Sequence, residues 1–184
     1  NDFIIAAGYK KKIIQKYYSK SKEFPNLKVV DTGKKTMTGG RILKLKSFFN
    51  KNEFFFMTYG DGLSNINLRK LKKFHLKNKK IATVTAVRPP VRFGELLIKK
   101  NRVIKFKEKP EIKSSWINGG FFILNYEVFK YIKNCKTTFE KELHYFSRSC
   151  SYQVNSGYSN HLSIFPSVKV IPFGFGKIII LGSS

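Results

Sequence analysis

Phe54-Phe55-Phe56-Met57-Thr58-Tyr59-Gly60-Asp61-Gly62 carries an almost unbroken apolar run into a carboxylate flanked by two glycines. Apolar residues without alternation mark a strand buried on both faces of a parallel sheet. A carboxylate just after such a strand lies where open α/β sheets take their ligands, beyond the carboxyl ends of the strands. Glycine on either side leaves room for close approach. Asp61 can therefore hold Mg²⁺, an oxygen-seeking ion that commonly bridges substrate phosphates. The same Gly-Asp-Gly suits a type I or I′ turn, and these residues alone leave both readings open.

Working outward, strand-like and helix-like segments alternate. Residues 3–7 form another continuous apolar run closed by Gly8, and 11–19 place Ile13, Ile14 and Tyr17 at helical spacing. Residues 27–30 read as a strand. Thr38 is positioned to cap a helix with its body at 41–49. Beyond Asp61, Leu68, Leu71 and Phe74 stripe a helix, 82–87 form a strand, and Pro89-Pro90 interrupts the pattern. Strands at 92–98, 103–106 and 116–124 follow, then a helix at 126–133. Serial β-α units predict a Rossmann-like, mostly parallel sheet with helices on both faces. From 143 to 184 no Asp or Glu occurs and the helical period vanishes, as in a linker or a stretch out of frame. Lys177-Ile178-Ile179-Ile180-Leu181-Gly182-Ser183-Ser184 reads as an ordinary strand or as the opening strand and glycine of a dinucleotide-binding unit.

At 184 residues, 42% hydrophobic and 15% aromatic, the chain can bury a core of one domain. Its formal charge of +25 invites a reading as a basic, non-catalytic nucleic-acid-binding protein. Against that, 30 of the 36 basic residues are Lys, accompanied by abundant Asn, Ile, Phe and Tyr as in AT-rich coding sequence, and they are dispersed rather than gathered on one element. No specific nucleic acid is expected. Cys135 and Cys150 make neither a metal-ligand set nor a disulfide framework. No apolar run reaches the roughly 20 residues of a membrane helix. A cytoplasmic address without a membrane partner is the expectation. The chain opens at Asn1 directly into strand-like residues, as a sequence with a lost start does.

Two further segments suit phosphate chemistry. Thr36-Met37-Thr38-Gly39-Gly40-Arg41 is a loop entering a helix, whose glycine N–H groups can face an anion while Arg41 adds a bidentate contact. Phe106-Lys107-Glu108-Lys109-Pro110 sets an acid beside a base after a strand, for sugar hydroxyls and phosphate or as a surface charge pair.

In order and wording these segments resemble the sugar-1-phosphate nucleotidyltransferase family, and within it the glucose-1-phosphate cytidylyltransferases. The resemblance is carried by Asp2-Phe3-Ile4-Ile5 through Gly8-Tyr9-Lys10, Val30-Asp31-Thr32-Gly33, Met37-Thr38-Gly39-Gly40-Arg41, Thr58-Tyr59-Gly60-Asp61-Gly62, Arg92-Phe93-Gly94, Glu108-Lys109-Pro110 and Ile117-Asn118-Gly119-Gly120-Phe121-Phe122. It implies an incomplete, GT-A-like nucleotidyltransferase domain over 1–142 and a divergent tail over 143–184. It also implies transfer of a cytidylyl group from CTP to glucose 1-phosphate, giving CDP-glucose and pyrophosphate, with use of UTP or dTTP as the variant. Asp61 is then the metal ligand, with Asp61, Arg41 and Lys109 catalytic and Mg²⁺ the cofactor. Thr36, Arg41 and Gly60 contact the nucleotide, while Gly94, Glu108, Lys109, Asn118 and Gly119 line the sugar-phosphate site. Such enzymes serve nucleotide-sugar biosynthesis for O-antigen lipopolysaccharide, and a homo-oligomer is possible. The family's glycine-rich Gly-Gly-X-Gly-Thr-Arg loop is not among these residues and no aspartate follows Asp61, so the chain alone is expected to make no CDP-glucose.

Overall fold

A computed structural model of the chain describes residues 2–20, 22–62, 64–88, 95–99, 102–107, 116–142, 150–154 and 176–182. The first half alternates as its apolar pattern dictates: β1 (Asp2–Ala7), α1 (Lys11–Ser19), β2 (Leu27–Asp31), α2 (Thr38–Lys44), β3 (Phe54–Tyr59), α3 (Leu68–Asn78) and β4 (Ala82–Val87). Thereafter come β5 (Glu95–Lys99), β6 (Arg102–Lys107), β7 (Ile117–Asn125), the single turn α4 (Phe139–Glu142), β8 (Cys150–Val154) and β9 (Lys177–Leu181). Seven strands form one sheet in the order β2-β1-β9-β3-β7-β4-β8, while β5 and β6 pair separately as an antiparallel hairpin. Within the large sheet only β7 runs antiparallel to its neighbours. The mostly parallel α/β architecture is thus as the β-α alternation implies.

The unbroken apolar runs are explained by burial on both faces. Phe55 and Met57 of β3 face one side with Ile42, Leu45, Phe49, Val128, Phe129 and Phe139. Phe56 faces the other, with Leu71 of α3 and Ile123 of β7. Such strands leave no water-facing side and must sit inside the sheet. Helix α1 differs, since it buries none of its residues and leaves Ile13 and Tyr17 exposed.

The strand nearest the end of the chain takes the middle of the sheet. β9 lies parallel between β1 and β3, with Ile179 opposite both Ile4 and Met57, and Leu181 opposite both Ala6 and Tyr59. All three strands therefore finish at nearly one level, each followed by glycine. Gly60 N–H donates to Leu181 O at 2.7 Å and Gly182 N–H to Ala6 O at 3.1 Å. Between the two readings of 177–184, the pairing is that of a strand built into this chain's own sheet.

Two helix expectations are corrected. α2 ends at Lys44 and a 3-10 turn covers Lys46–Phe48, so no single helix spans 41–49; Tyr126–Lys130 is likewise a 3-10 turn rather than an α-helix. Nor does Thr38 cap α2. It is the first helical residue, and its hydroxyl donates to Glu140 Oε2 at 2.7 Å while accepting Phe139 N–H at 2.9 Å. Tertiary partners have claimed the group that local capping would have used.

Candidate active site

At the carboxyl ends of β3 and β9, beside α2, a cavity of about 330 Å³ is lined by Thr36, Met37, Thr38, Arg41, Tyr59, Asp61, Leu181 and Gly182. This is the edge at which a doubly wound sheet binds ligand. Three of the residues singled out from the sequence, Thr36, Arg41 and Asp61, thus share one hollow although they come from different elements.

Arg41 projects from α2 beneath the loop that follows β1. It is 1% exposed, and its Nη1 donates to Thr32 Oγ1 at 2.7 Å. Thr32 in turn donates through Oγ1 and N–H to Ala7 O, which ties the guanidinium to the end of β1. A Cβ at Gly8 would meet Arg41 Nη1 and Nη2 at 2.7 Å, so glycine is what lets the guanidinium lie there. Nη2 is buried and has no hydrogen-bond partner among the described residues. Burial lowers the guanidinium pKa from its ordinary value and the nearby Asp31 carboxylate opposes this; an arginine stays cationic nonetheless. A buried donor of positive charge left unpaired costs about 1–3 kcal/mol or more, a cost that an incoming anion can relieve.

The loop around Arg41 is held from outside the cavity. Asp31 pairs with Lys11 and accepts Gly33 N–H at 2.9 Å, and those bonds hold its carboxyl below the usual range. Lys44 Nζ donates to Thr32 O at 2.9 Å and reaches Thr36 Oγ1 at 3.5 Å. Gly33 adopts φ +87°, the left-handed region that glycine enters at no steric cost.

Asp61 is exposed at the cavity rim. Gly62 N–H donates to Tyr59 O at 3.3 Å, so Tyr59–Gly62 is a β-turn that presents the carboxylate. Neither Gly60 nor Asp61 has positive φ, which excludes the I′ form. The turn reading and the ligand reading are therefore compatible: the turn is how the carboxylate is presented. Gly60 is fixed by its bond to Leu181, whose carbonyl a Cβ would approach to 3.2 Å.

One expectation about this site fails. The N–H groups of Gly39 and Gly40 do not face an anion: both donate to Thr137 O, at 3.0 and 3.3 Å, and Met37 N–H donates to Cys135 O. A Cβ on Gly40 would lie 2.5 Å from Cys135 Cα, and one on Gly39 2.8 Å from Thr137 O. These glycines admit a neighbouring backbone rather than a ligand.

Asn118 and Gly119 stand at the start of β7. Asn118 Oδ1 accepts Gly120 N–H at 2.8 Å, and the Asn118 side chain partly opposes the rise in the Tyr59 phenol pKa. Gly119 packs against Thr85, whose Oγ1 a Cβ would meet at 2.7 Å. Neither lines the cavity that holds Asp61. Gly94, Glu108 and Lys109 lie outside the described residues.

Several contributors went unrecognised in the sequence. Tyr59 lines the cavity and donates to Glu140 Oε1 at 2.5 Å; burial first, then Glu140, raises its pKa well above the ordinary phenol value, with the Asp61 charge adding to the shift. Leu181 and Gly182 were legible only as a strand end. The signal available for them was repetition: an apolar run closed by glycine occurs at Gly8, Gly60 and Gly182.

The Nucleotidyl transferase family profile matches residues 1–166. Among curated relatives, the chain is 38% identical over 163 residues to glucose-1-phosphate cytidylyltransferase of Salmonella typhimurium, an alignment covering 77% of this chain and 63% of that protein. It is 31% identical over 144 residues to D-glycero-alpha-D-manno-heptose 1-phosphate guanylyltransferase of Aneurinibacillus thermoaerophilus, covering 75% of this chain and 59% of the relative. The chain thus spans less than two thirds of either protein. Among solved structures, HddC of Yersinia pseudotuberculosis complexed with GMP-PN superposes with a TM-score of 0.62 at 20% identity, over 84% of this chain and 70% of that one, a likeness of fold. A family profile that runs through most of the chain, on a sheet whose strand ends gather the residues that suit phosphate, means that this chain belongs to the nucleotidyl transferase family.

Proposed function

We propose that the chain provides the nucleotidyl-transfer site of a glucose-1-phosphate cytidylyltransferase, taking CTP and glucose 1-phosphate to CDP-glucose and pyrophosphate. The observation that carries this reading is the buried, unpartnered Nη2 of Arg41 in a wall of the cavity that also holds Asp61. Among the described residues Arg41 has one guanidinium nitrogen without a partner and Asp61 is exposed without an ion pair, and within one hollow the two suit a nucleotide polyphosphate with its metal.

In the reaction a phosphate oxygen of glucose 1-phosphate attacks the α-phosphorus of CTP, and the α–β phosphoanhydride bond breaks to release pyrophosphate. The nucleophile is already an anion, so the task is to align two negatively charged reactants. Arg41 supplies a fixed, desolvated positive charge, which needs no rearrangement as charge moves in the transition state. Thr36, in the same cavity lining, would hydrogen-bond phosphate beside it. Gly60 lets the nucleotide approach the β3 tip.

No group of three or more Asp, Glu, His or Cys side chains that could hold a metal occurs among the described residues. Mg²⁺ needs no such group, since it accepts one or two protein carboxylates and completes its octahedron with phosphate oxygens and water. Asp61 would hold it, and bound there it would screen the phosphates. Gly94, Glu108, Lys109, Asn118 and Gly119 are assigned to the sugar phosphate, Lys109 by its charge and Glu108 and Asn118 by their capacity to bond hydroxyls. The homo-oligomer and the cytoplasmic address belong to the same proposal, and no helix among the described residues is long and apolar enough to cross a membrane.

Calorimetric titration of CTP with and without Mg²⁺ tests the reading. Binding should depend on Mg²⁺, and Asp61→Asn should remove that dependence with an affinity loss of at least tenfold, about 1.4 kcal/mol. CTP should bind more tightly than GTP, UTP or dTTP. Absence of Mg²⁺-dependent binding of any nucleotide, together with RNA or DNA binding that weakens steeply with salt, would replace the proposal with the nucleic-acid reading.

A further inference from the structure

Glu140 is the sole carboxylate among the described residues that joins the two sides of the cavity. It stands in the short α4, a segment that supplies no residue to the cavity lining. Its Oε1 accepts the phenol of Tyr59, two positions before Asp61 at the end of β3, and its Oε2 accepts the hydroxyl of Thr38, three positions before Arg41 in α2. Phe139 N–H returns a bond to Thr38 Oγ1, so α4 and the start of α2 are tied twice. On the far side the ring of Tyr59 packs edge-on against Phe122 of β7. A continuous chain, Thr38–Glu140–Tyr59–Phe122, therefore crosses from the helix that carries Arg41 to the strand that carries the proposed sugar-side residues.

We propose that Glu140 is a positioning residue that sets the separation of the α2 wall, with Arg41, from the β3 tip, with Asp61, by binding one hydroxyl from each through a single rigid carboxylate. A carboxylate is the right group for this because it accepts at both oxygens without a competing donor. Both partners are half-buried hydroxyls rather than cations, so Glu140 ties two walls together instead of pairing with a cation. The consequence for ligand binding rests on the nucleotidyl-transfer reading. The clasp itself does not, and the two are separated by the test.

The experiment is amide hydrogen exchange by NMR on the full chain. Glu140→Ala should accelerate exchange at least tenfold at Gly39 and Gly40 on the α2 side and at Gly60 on the β3 side, amides bonded to Thr137 O and Leu181 O. Glu140→Gln, which keeps an acceptor for one hydroxyl and an amide for the other, should stay within threefold of the parent. Ile132→Val, a mild loss from the same core, controls for general loosening and should raise exchange without selecting these three amides. Mg²⁺·CTP titrations on the same samples give the consequence, with Glu140→Ala expected to bind at least fivefold more weakly and Glu140→Gln to recover most of that loss. Unchanged exchange at either wall in Glu140→Ala overturns the clasp, as does a Gln variant as impaired as the Ala variant, or a loss in Ile132→Val that matches Glu140→Ala. Selective exchange in Glu140→Ala with a parent chain that binds no nucleotide leaves the clasp standing and removes the nucleotidyl-transfer reading instead.

Discussion

Arg41 and His75 are both almost fully buried polar side chains on helices packed against the sheet, 1% and 2% exposed, yet their surroundings are opposite. His75 is fully served. Its Nε2 contacts Asn125 Oδ1 at 2.9 Å and its Nδ1 contacts Thr83 Oγ1 at 2.8 Å, with Thr83 passing on to Ser151 and Asn125 Nδ2 donating to Lys80 O. Because Asn125 Oδ1 can only accept, Nε2 carries a proton, while the Thr83 hydroxyl can serve Nδ1 as donor or acceptor. Arg41 is served at one nitrogen and left unpaired at the other. A buried polar group whose partners are all internal is a structural device, whereas one with an unmet donor at a cavity wall has room for a partner from outside, as the proposed function requires. Stability should therefore depend on His75 and ligand affinity on Arg41.

The largest expected effect is on folding. His75→Ala removes a packed ring and strands Thr83 and Asn125, and should cost about 3 kcal/mol in urea-induced unfolding while leaving nucleotide affinity within twofold. Arg41→Met is the converse. It exchanges a poorly satisfied buried cation for an apolar side chain of similar length, so stability should change by less than about 1 kcal/mol. Thr32 keeps its bond to Ala7 O in that variant. Mg²⁺·CTP affinity should nevertheless fall at least tenfold by calorimetry. Equal losses of stability in the two variants would erase the contrast.

The smallest effect is one of pH. Burial lowers the His75 pKa below its ordinary 6.5, with the Asn125 bond partly opposing. The unfolded chain then takes up a proton near the ordinary value while the folded chain does not, so the folded state holds its advantage above pH 6.5 and loses it as pH falls toward the depressed value. The loss is at most about 1.4 kcal/mol for each unit of depression. Unfolding free energies measured at pH 7.5 and 5.5 should differ by less in His75→Ala than in the parent. An identical pH dependence in both would assign the effect elsewhere.

How far the sequence could be read varies from segment to segment. The strands at Phe3–Ala7 and Phe54–Tyr59 announce themselves because burial on both faces demands uninterrupted apolar side chains. Glycine after each run marks where the sheet ends, and Asp61 and Arg41 are the residue types that phosphate requires. Gly39 and Gly40 carry no such mark. A glycine that exposes its N–H to an anion and a glycine that admits a neighbouring backbone have the same local sequence, and the bond to Thr137 separates them only in the fold. Glu140 is equally silent, and Thr38 speaks only as a helix cap, since neither residue shows the other until the fold brings them together.

Residue order was sufficient for the alternation of strand and helix and the glycine-closed strand tips, because periodicity and burial on both faces are properties of short segments; it also singled out Asp61 and Arg41 as residue types that suit phosphate. Contacts between distant segments alone assign Lys177–Leu181 to the middle of the sheet, close Gly39 and Gly40 against Thr137, and leave Arg41 one donor short. Those features depend on which backbones meet, and a strand of isoleucines is equally ready to pair with any parallel edge until the rest of the chain leaves one slot, between β1 and β3, that it fits.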